Sequence, residues 1–175
     1  MSEKLKICMV GATAVGKTSL VSRFARGTFS DSYRTTIGVA IETKNLEREG
    51  SVTQLVIWDL SGEDEFQNVQ AAYFRGAAGY LLVVDETRPE TADAALSLKA
   101  KLERTVGSLP FAVAVNKADK ADLNAPLRLT SEQLDQLRNA GFDPVRTSAK
   151  TGAHVDEVFG NLVDAIHAAR RAGWT

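Results

Sequence analysis

The chain has 175 residues and a formal net charge of −1 at pH 7, which gives no reason to expect nucleic acid as a partner. Its one cysteine, Cys8, excludes a disulfide framework and fits a reducing compartment, so a cytoplasmic protein is expected. No apolar run approaches the roughly 20 residues of a membrane span, and the N-terminus lacks a signal-peptide core, so no transmembrane segment is expected.

Strands and helices alternate along the sequence. Strands are predicted at 5–10, 39–47, 51–59, 80–85, 111–116 and 144–147, and helices at 18–26, 90–106, 130–140 and 154–170. The second and third strands form a hairpin around Gly50, and the polar residues along its first arm predict an edge strand. Thr130 and Gln133 form a capping box for the helix that they begin. This alternation predicts a doubly wound, mostly parallel sheet that binds ligands beyond the carboxyl ends of its strands.

The first loop after a strand has the pattern of a phosphate loop. Residues 11–18 read GATAVGKT, directly after an apolar run and directly before a helical pattern. Backbone N–H groups in such a loop point at phosphates, and Gly16 allows the backbone to approach them closely. Lys17 places a positive charge on the outer phosphates, and the hydroxyl of Thr18 can ligate Mg²⁺. Taken alone, this loop also fits a P-loop kinase or an ATPase.

Two later segments favour guanine as the base. Asn116, Lys117 and Asp119 belong to an N-K-x-D tetrapeptide at the end of a predicted strand. The carboxylate of Asp119 only accepts hydrogen bonds, so it matches two adjacent donors of guanine and meets an acceptor on adenine. Asn116 either serves guanine N7 or ties its loop to the phosphate loop, and the stem of Lys117 can cover one ring face. The segment 148–150, Ser-Ala-Lys, can offer a backbone N–H to guanine O6.

With these motifs the chain resembles the Ras-like small GTPases, and the Rab branch more closely than the others. The motifs that carry the resemblance lie in the family's order and spacing, at 11–18, 36–38, 59–62, 116–119 and 148–150. The Rab features are TIGV at 36–39, WD at 58–59 and YFRGA at 73–77. The resemblance implies a P-loop GTPase fold, with a six-stranded sheet, one antiparallel edge strand and helices on both faces. It also implies a monomer with one G domain over residues 1–175.

The resemblance also assigns the site residues. Thr18 and Thr36 would ligate Mg²⁺, and Asp59 would hold it through a water. The residues implied in catalysis are Lys17, Gly62, Glu63 and Thr36. The residues implied in binding GTP or GDP are Gly11, Thr13, Ala14, Val15, Gly16, Lys17, Thr18, Ser19, Phe29, Tyr33, Thr36, Gly62, Asn116, Lys117, Asp119, Ser148, Ala149 and Lys150.

Two segments are expected to change with the nucleotide, one at 27–39 and one that starts at Asp59. Phe29 stands where the family stacks a ring against guanine, and Tyr33 where it closes a ring over the phosphates. For both, the alternative is ordinary packing of loop hydrophobes. Effectors, an exchange factor and a GTPase-activating protein are expected to bind through residues 34–39 and 62–74.

Three positions depart from the family's usual pattern. Glu63 stands where the family usually has Gln, which orients the attacking water. An ionised Glu accepts but cannot donate, which favours slow hydrolysis, although a carboxylate is the better base and solvent exposure of Glu63 is the alternative. Thr13 either crowds an arginine supplied in trans or takes part in the phosphate site. Ser61 replaces the family's Ala, and nothing is concluded from it.

The sequence therefore predicts a GTP/GDP switch with slow, Mg²⁺-dependent GTP hydrolysis that recruits effectors in its GTP state. The first alternative is a GTP-binding interaction module without useful hydrolysis, for which Glu63 and Thr13 would be the lesions. The second is a P-loop kinase or an ATPase, against which Asp119 argues. No cysteine lies near the C-terminus, so a prenyl anchor of the usual Ras or Rab kind is not expected.

Overall fold

The computed structural model describes residues 3–32, 36–48, 50–60, 71–120 and 129–173. The strands of this part are β1 Glu3–Val10, β2 Val39–Arg48, β3 Ser51–Leu60, β4 Gly79–Asp85, β5 Phe111–Asn116 and β6 Pro144–Arg146. Its helices are α1 Lys17–Arg26, α2 Ala71–Phe74, α3 Glu90–Val106, α4 Ser131–Asn139 and α5 Val155–Arg171, with a 3-10 turn at Ala118–Lys120. Each predicted element is present, while α2 and the 3-10 turn were not predicted.

The described residues form a six-stranded sheet in the order β2-β3-β1-β4-β5-β6. β2 runs antiparallel to β3, and every other neighbouring pair is parallel. This confirms the predicted sheet with one antiparallel edge strand. Because β3 lies on one side of β1 and the next strand of the chain, β4, lies on the other, the carboxyl end of β1 lies at a point where the strand order reverses. In open α/β sheets, such a point is where ligands bind.

Helices cover both faces of the sheet. On one face, α1 and α5 pack over β1, and the rings of Phe24 and Phe159 stack with their centroids 3.9 Å apart. The apolar face predicted for α5 is buried and consists of Val155, Val158, Phe159, Leu162, Val163 and Ile166. On the other face, α3 and α4 pack over β4 and β5. β4 is buried on both faces of the sheet, which explains why it is apolar almost throughout.

The edges and ends of the elements agree with the sequence pattern. β2 is an edge strand with one open face, on which the side chain of Ile41 is 54% exposed. The capping box of α4 is formed, because the Thr130 hydroxyl accepts from the Gln133 N–H and the Gln133 side chain accepts from the Thr130 N–H. Of the helices in the described ranges, none combines the length and the apolar character needed to cross a bilayer.

Candidate nucleotide-binding site

A cavity of about 710 Å³ opens beyond the carboxyl ends of the parallel strands. This volume is in the range of small-molecule and cofactor sites. The predicted site residues that line it are Thr13, Ala14, Gly16, Lys17, Thr18, Ser19, Phe29, Thr36, Asn116, Lys117, Asp119, Ala149 and Lys150. The predicted residues that are buried close to it are Gly11, Val15, Asp59 and Ser148. Tyr33, Gly62 and Glu63 lie outside the described residues.

The backbone of the phosphate loop, residues 11–18, takes positive φ angles, which suit glycine better than other residues. Gly16 has φ of 99°, and a Cβ placed there would lie 2.3 Å from Nδ2 of Asn116. Ala14 is also left-handed, with φ of 63°. Left-handed residues in a tight loop turn successive N–H groups to one side, which produces an anion-binding concavity. The loop therefore has the backbone geometry that a phosphate needs.

The ammonium of Lys17 lies over this loop. It is buried, with 6% of the residue exposed, and its Nζ donates to the carbonyl oxygens of Gly11 at 2.5 Å and Ala12 at 3.2 Å. An ammonium has three donors and a compact charge, which suits it to phosphate oxygens. The loop and Lys17 together make this end of the cavity, the phosphate end, a site for an anion.

Three side-chain oxygens converge beside the phosphate loop. The hydroxyl of Thr18 donates to Oδ2 of Asp59 at 2.5 Å, and it lies 2.6 Å from the hydroxyl of Thr36. Among the described residues, Oδ1 of Asp59 is the buried side-chain polar atom without a hydrogen-bond partner. Burial raises the pKa of Asp59, and hydrogen bonds from Thr18 and Thr36 and the charge of Lys17 only partly oppose this.

This oxygen cluster fits Mg²⁺. The ion prefers hard oxygen ligands and usually keeps several waters, one of which would satisfy Oδ1 of Asp59. A divalent charge would also favour the ionised form of this carboxyl, which burial opposes. In the described ranges no group of three or more His, Cys, Asp or Glu side chains could hold a metal, as expected where hydroxyls supply most of the ligands.

The opposite end of the cavity, the base end, contains Asp119. The hydroxyl of Ser148 donates to Oδ1 of Asp119 at 2.6 Å and accepts from the N–H of Thr151 at 3.1 Å. The hydroxyl of Ser148, which is 1% exposed, thus fixes the orientation of the carboxylate. Sequence reasoning used this segment only for its backbone. The available signal for the additional role was a hydroxyl directly after the predicted strand 144–147.

Asn116 connects the two ends. Its Nδ2 donates to the carbonyl of Val15 at 3.0 Å, and its Oδ1 accepts from the N–H of Ala149 at 3.2 Å. The sequence left two roles open for Asn116. The structure shows one of them, the hydrogen bond that ties its loop to the phosphate loop. Because the N–H of Ala149 already donates to Asn116, guanine O6 would share that N–H or take the one of Lys150.

Further polar contacts at the site were missed from the sequence. Nζ of Lys117 donates to the carbonyl of Ala14 at 2.7 Å and to Oδ2 of Asp85 at 2.6 Å. Although burial raises the pKa of Asp85, hydrogen bonds from Lys117 and Thr87 outweigh it and hold that pKa below its ordinary value. A carboxylate that ends an otherwise apolar strand was the available signal for Asp85.

Arg23 of α1 was also missed, and it holds the segment 148–150, here called the base loop. Its Nε donates to the carbonyl of Ala149 at 2.7 Å, and its Nη2 donates to that of Lys150 at 2.5 Å. Phe29 lines the cavity and also packs against the hydrophobic core, so the packing alternative is present, while its stacking against a base stays a prediction.

The fold and the cavity define a P-loop nucleotide-binding protein. The Ras family model matches residues 6–168. Rab-13 of Mesocricetus auratus is 34% identical over 173 residues, which cover 96% of this chain and 84% of that protein. Rab-12 of Homo sapiens is 33% identical over 165 residues, 93% of this chain and 67% of that protein. Rab-10 of Caenorhabditis elegans is 33% identical over 162 residues, 92% of this chain and 80% of that protein.

The chain therefore belongs to the Ras family of small GTPases. The predicted resemblance to the Rab branch is confirmed, since the similar proteins named above are Rab proteins. As a small GTPase, the chain has the general function of a GTP/GDP switch.

Proposed function

We propose that this chain binds GTP and GDP with Mg²⁺ as one G domain, hydrolyses bound GTP slowly and recruits effectors in its GTP state. The observation that carries the proposal is that one cavity holds three kinds of group. A buried ammonium, Lys17, lies over a phosphate loop, a cluster of oxygens including Asp59 lies beside it, and an oriented carboxylate, Asp119, lies at the far end. These groups match a nucleotide's phosphates, its metal and a guanine base in that order.

In this proposal each described residue has one physical task. Lys17 and the N–H groups of the phosphate loop stabilise the negative charge of the transferring phosphoryl group. The hydroxyls of Thr18 and Thr36 would ligate Mg²⁺, and Asp59 would hold it through a water. When bound, Mg²⁺ supplies the charge that neutralises the outer phosphates. Asp119 selects guanine by accepting two hydrogen bonds.

Glu63 is the reason to expect slow GTP hydrolysis, because an ionised carboxylate beside the attacking water cannot donate to the phosphoryl oxygens. We infer that a partner supplies the missing groups, and that partners bind through residues 34–39 and 62–74. The described part of this region supports an interaction role, because Ile37 is 92% exposed. A large apolar side chain in that position is available for burial by another protein. A cytoplasmic location fits the single, buried cysteine.

Single-turnover hydrolysis by protein preloaded with GTP and Mg²⁺ tests the proposal, with Glu63→Gln as the matched variant. We expect slow conversion to bound GDP in the parent and conversion roughly a hundredfold faster in the variant, which is at the low end of the range for a positioned catalytic group. A variant no faster than the parent would contradict the role given to Glu63. GTP that persists in both proteins would favour the interaction module, and equal loading by ATP would refute the choice of guanine.

A further inference from the structure

Two cations hold successive carbonyl groups of the phosphate loop. Nη2 of Arg88, in the connection between β4 and α3, donates to the carbonyl of Thr13 at 2.6 Å. Nζ of Lys117 donates to the next carbonyl, that of Ala14, at 2.7 Å. Both cations also donate to the same oxygen, Oδ2 of Asp85, at 3.2 Å from Nε of Arg88 and 2.6 Å from Nζ of Lys117. One buried carboxylate therefore orders two cations against the loop.

This arrangement determines where the loop N–H groups point. In a trans peptide the C=O and the following N–H point in opposite directions. Holding the carbonyl of Thr13 on the side of Arg88 turns the N–H of Ala14 to the opposite side of the peptide. That side is the one toward the cavity, which Thr13 and Ala14 line. Ala14 needs such support, because a φ of 63° is unfavourable for a residue other than glycine.

We expect the hydrogen bonds of Arg88 to affect the geometry of the phosphate loop more than the free energy of unfolding. The side chain of Arg88 is 37% exposed, and ion pairs that reach solvent contribute little to the free energy of unfolding. A guanidinium is a rigid fork, so it can donate to a carbonyl and a carboxylate at fixed relative positions, which a lysine ammonium does less well. Pre-organised donors bind an anion without a cost of reorganisation.

We propose that Arg88 is a positioning residue for the nucleotide's phosphates, which acts by holding the Thr13 carbonyl so that the N–H of Ala14 faces the cavity. This inference rests on the proposed binding of guanine nucleotides. It assigns a role to the connection after β4, which lies outside the five motifs that carry the resemblance to the family.

The test compares Arg88→Ala and Arg88→Lys with the parent, with Arg104→Ala as the matched control. Arg104 is exposed on α3, where its Nε donates to the carbonyl of Ala100 within the same helix. The full chain is loaded with fluorescent GDP or GMP in the presence of Mg²⁺, and the release rates and affinities are measured. We expect Arg88→Ala to release GDP about tenfold faster, as for loss of one charge-assisted hydrogen bond. Arg88→Lys should be intermediate, and Arg104→Ala should match the parent.

A positioning role predicts that the loss depends on the phosphates. Arg88→Ala should lose affinity for GDP by a larger factor than for GMP, while its melting temperature without nucleotide stays near that of the parent. An unchanged GDP release rate, or equal losses for GDP and GMP, would overturn the inference. If Arg88→Ala does not fold, Arg88→Met replaces it, because methionine keeps an unbranched stem but cannot donate to the Thr13 carbonyl.

Failure of the proposed function gives a different result. If the parent and Arg104→Ala both fail to retain GDP, guanine-nucleotide binding itself is wrong, and this inference falls with it. If both retain GDP and Arg88→Ala retains it equally well, only the role of Arg88 is wrong.

Discussion

In the proposed function, the two ends of the cavity recognise their parts of the nucleotide with different groups. At the phosphate end, the donors are the ammonium of Lys17 and the backbone N–H groups of residues 11–18, where Ala14 and Gly16 are left-handed. At the base end, the selecting group is a side chain, the carboxylate of Asp119, which the hydroxyl of Ser148 orients. Backbone N–H groups respond to negative charge and not to the identity of the base, so the phosphate end supplies affinity without choice. A side-chain acceptor rejects a base that lacks the matching donors, so the base end supplies choice.

The two ends are not independent, because Asn116 bonds to both. It donates to the carbonyl of Val15 and accepts from the N–H of Ala149. A change at Gly16 that displaces Asn116 should therefore disturb the base end as well as the phosphate end.

The largest effect is expected for Gly16→Ala, which tests whether the ends fail together. A Cβ there would lie 2.3 Å from Nδ2 of Asn116, at a φ of 99° that an L-residue rarely adopts. We expect GDP affinity to fall by roughly a hundredfold or more, about 3 kcal/mol. Calorimetric titration measures this, with Gly27→Ala as the control. Gly27 also has positive φ, but a Cβ added to it would meet no atom of the described residues within 4 Å. Equal affinities of the two variants would show that the close approach to Asn116 is unimportant.

A smaller effect, confined to the base end, is expected for Asp119→Ala. Hypoxanthine lacks the exocyclic amine of guanine, so the parent should prefer GTP to ITP by about tenfold, as for one charged hydrogen bond of about 1.5 kcal/mol. The variant should lose that preference while it still binds phosphates. Competition between GTP and ITP measures the ratio. Asp31→Ala is the matched control, since Asp31 also lines the cavity; the same loss in that variant would argue against a specific role for Asp119.

The smallest effect is expected for Asp59→Asn, which separates the metal from the rest of the phosphate end. Burial raises the pKa of Asp59 above its ordinary 3.8, so the native protein favours the protonated carboxyl. The metal-free fold therefore has this contribution to its stability at low pH and loses it as the pH rises through the raised pKa. At neutral pH the variant without metal should therefore be more stable than the parent, by about 1 kcal/mol.

Thermal melting in EDTA and in Mg²⁺ with GDP measures both parts of this prediction. We expect Asp59→Asn to melt above the parent in EDTA and to gain less than the parent from Mg²⁺. A variant that gains as much from Mg²⁺ as the parent would contradict a metal site at the Thr18, Thr36 and Asp59 cluster.

Regular elements and loop motifs were predictable because their causes are local. The apolar face of α5 repeats at the helical period, and β5 is a short apolar run between loops, so both were predicted within a residue of their bounds. The helix α2, Ala71–Phe74, has only four residues, which is about one turn and too short to show a period.

The contacts that support the site were not predictable in the same way. Arg23 and Arg88 donate to backbone carbonyls that lie 126 and 75 residues away in the sequence. Every residue has a carbonyl, so the acceptor leaves no pattern in the sequence, and only the folded chain identifies the arginine that reaches it. Ser148 and Asp119 have side chains that could be paired, but the choice among many hydroxyls depends on the turn that follows β6.

The helix α1 acts as a spacer between the two ends of the cavity. It begins at Lys17, at the phosphate end, and Arg23 reaches from it to the base loop. The six-residue separation spans about 9 Å at the helical rise of about 1.5 Å per residue. Because each residue also rotates the helix by about 100°, one residue inserted between Lys17 and Arg23 would swing the guanidinium off the base loop as well as lengthen the gap. In the proposed function, the helical segment from Lys17 to Arg23 therefore sets the distance between the groups that hold the phosphates and those that hold the base.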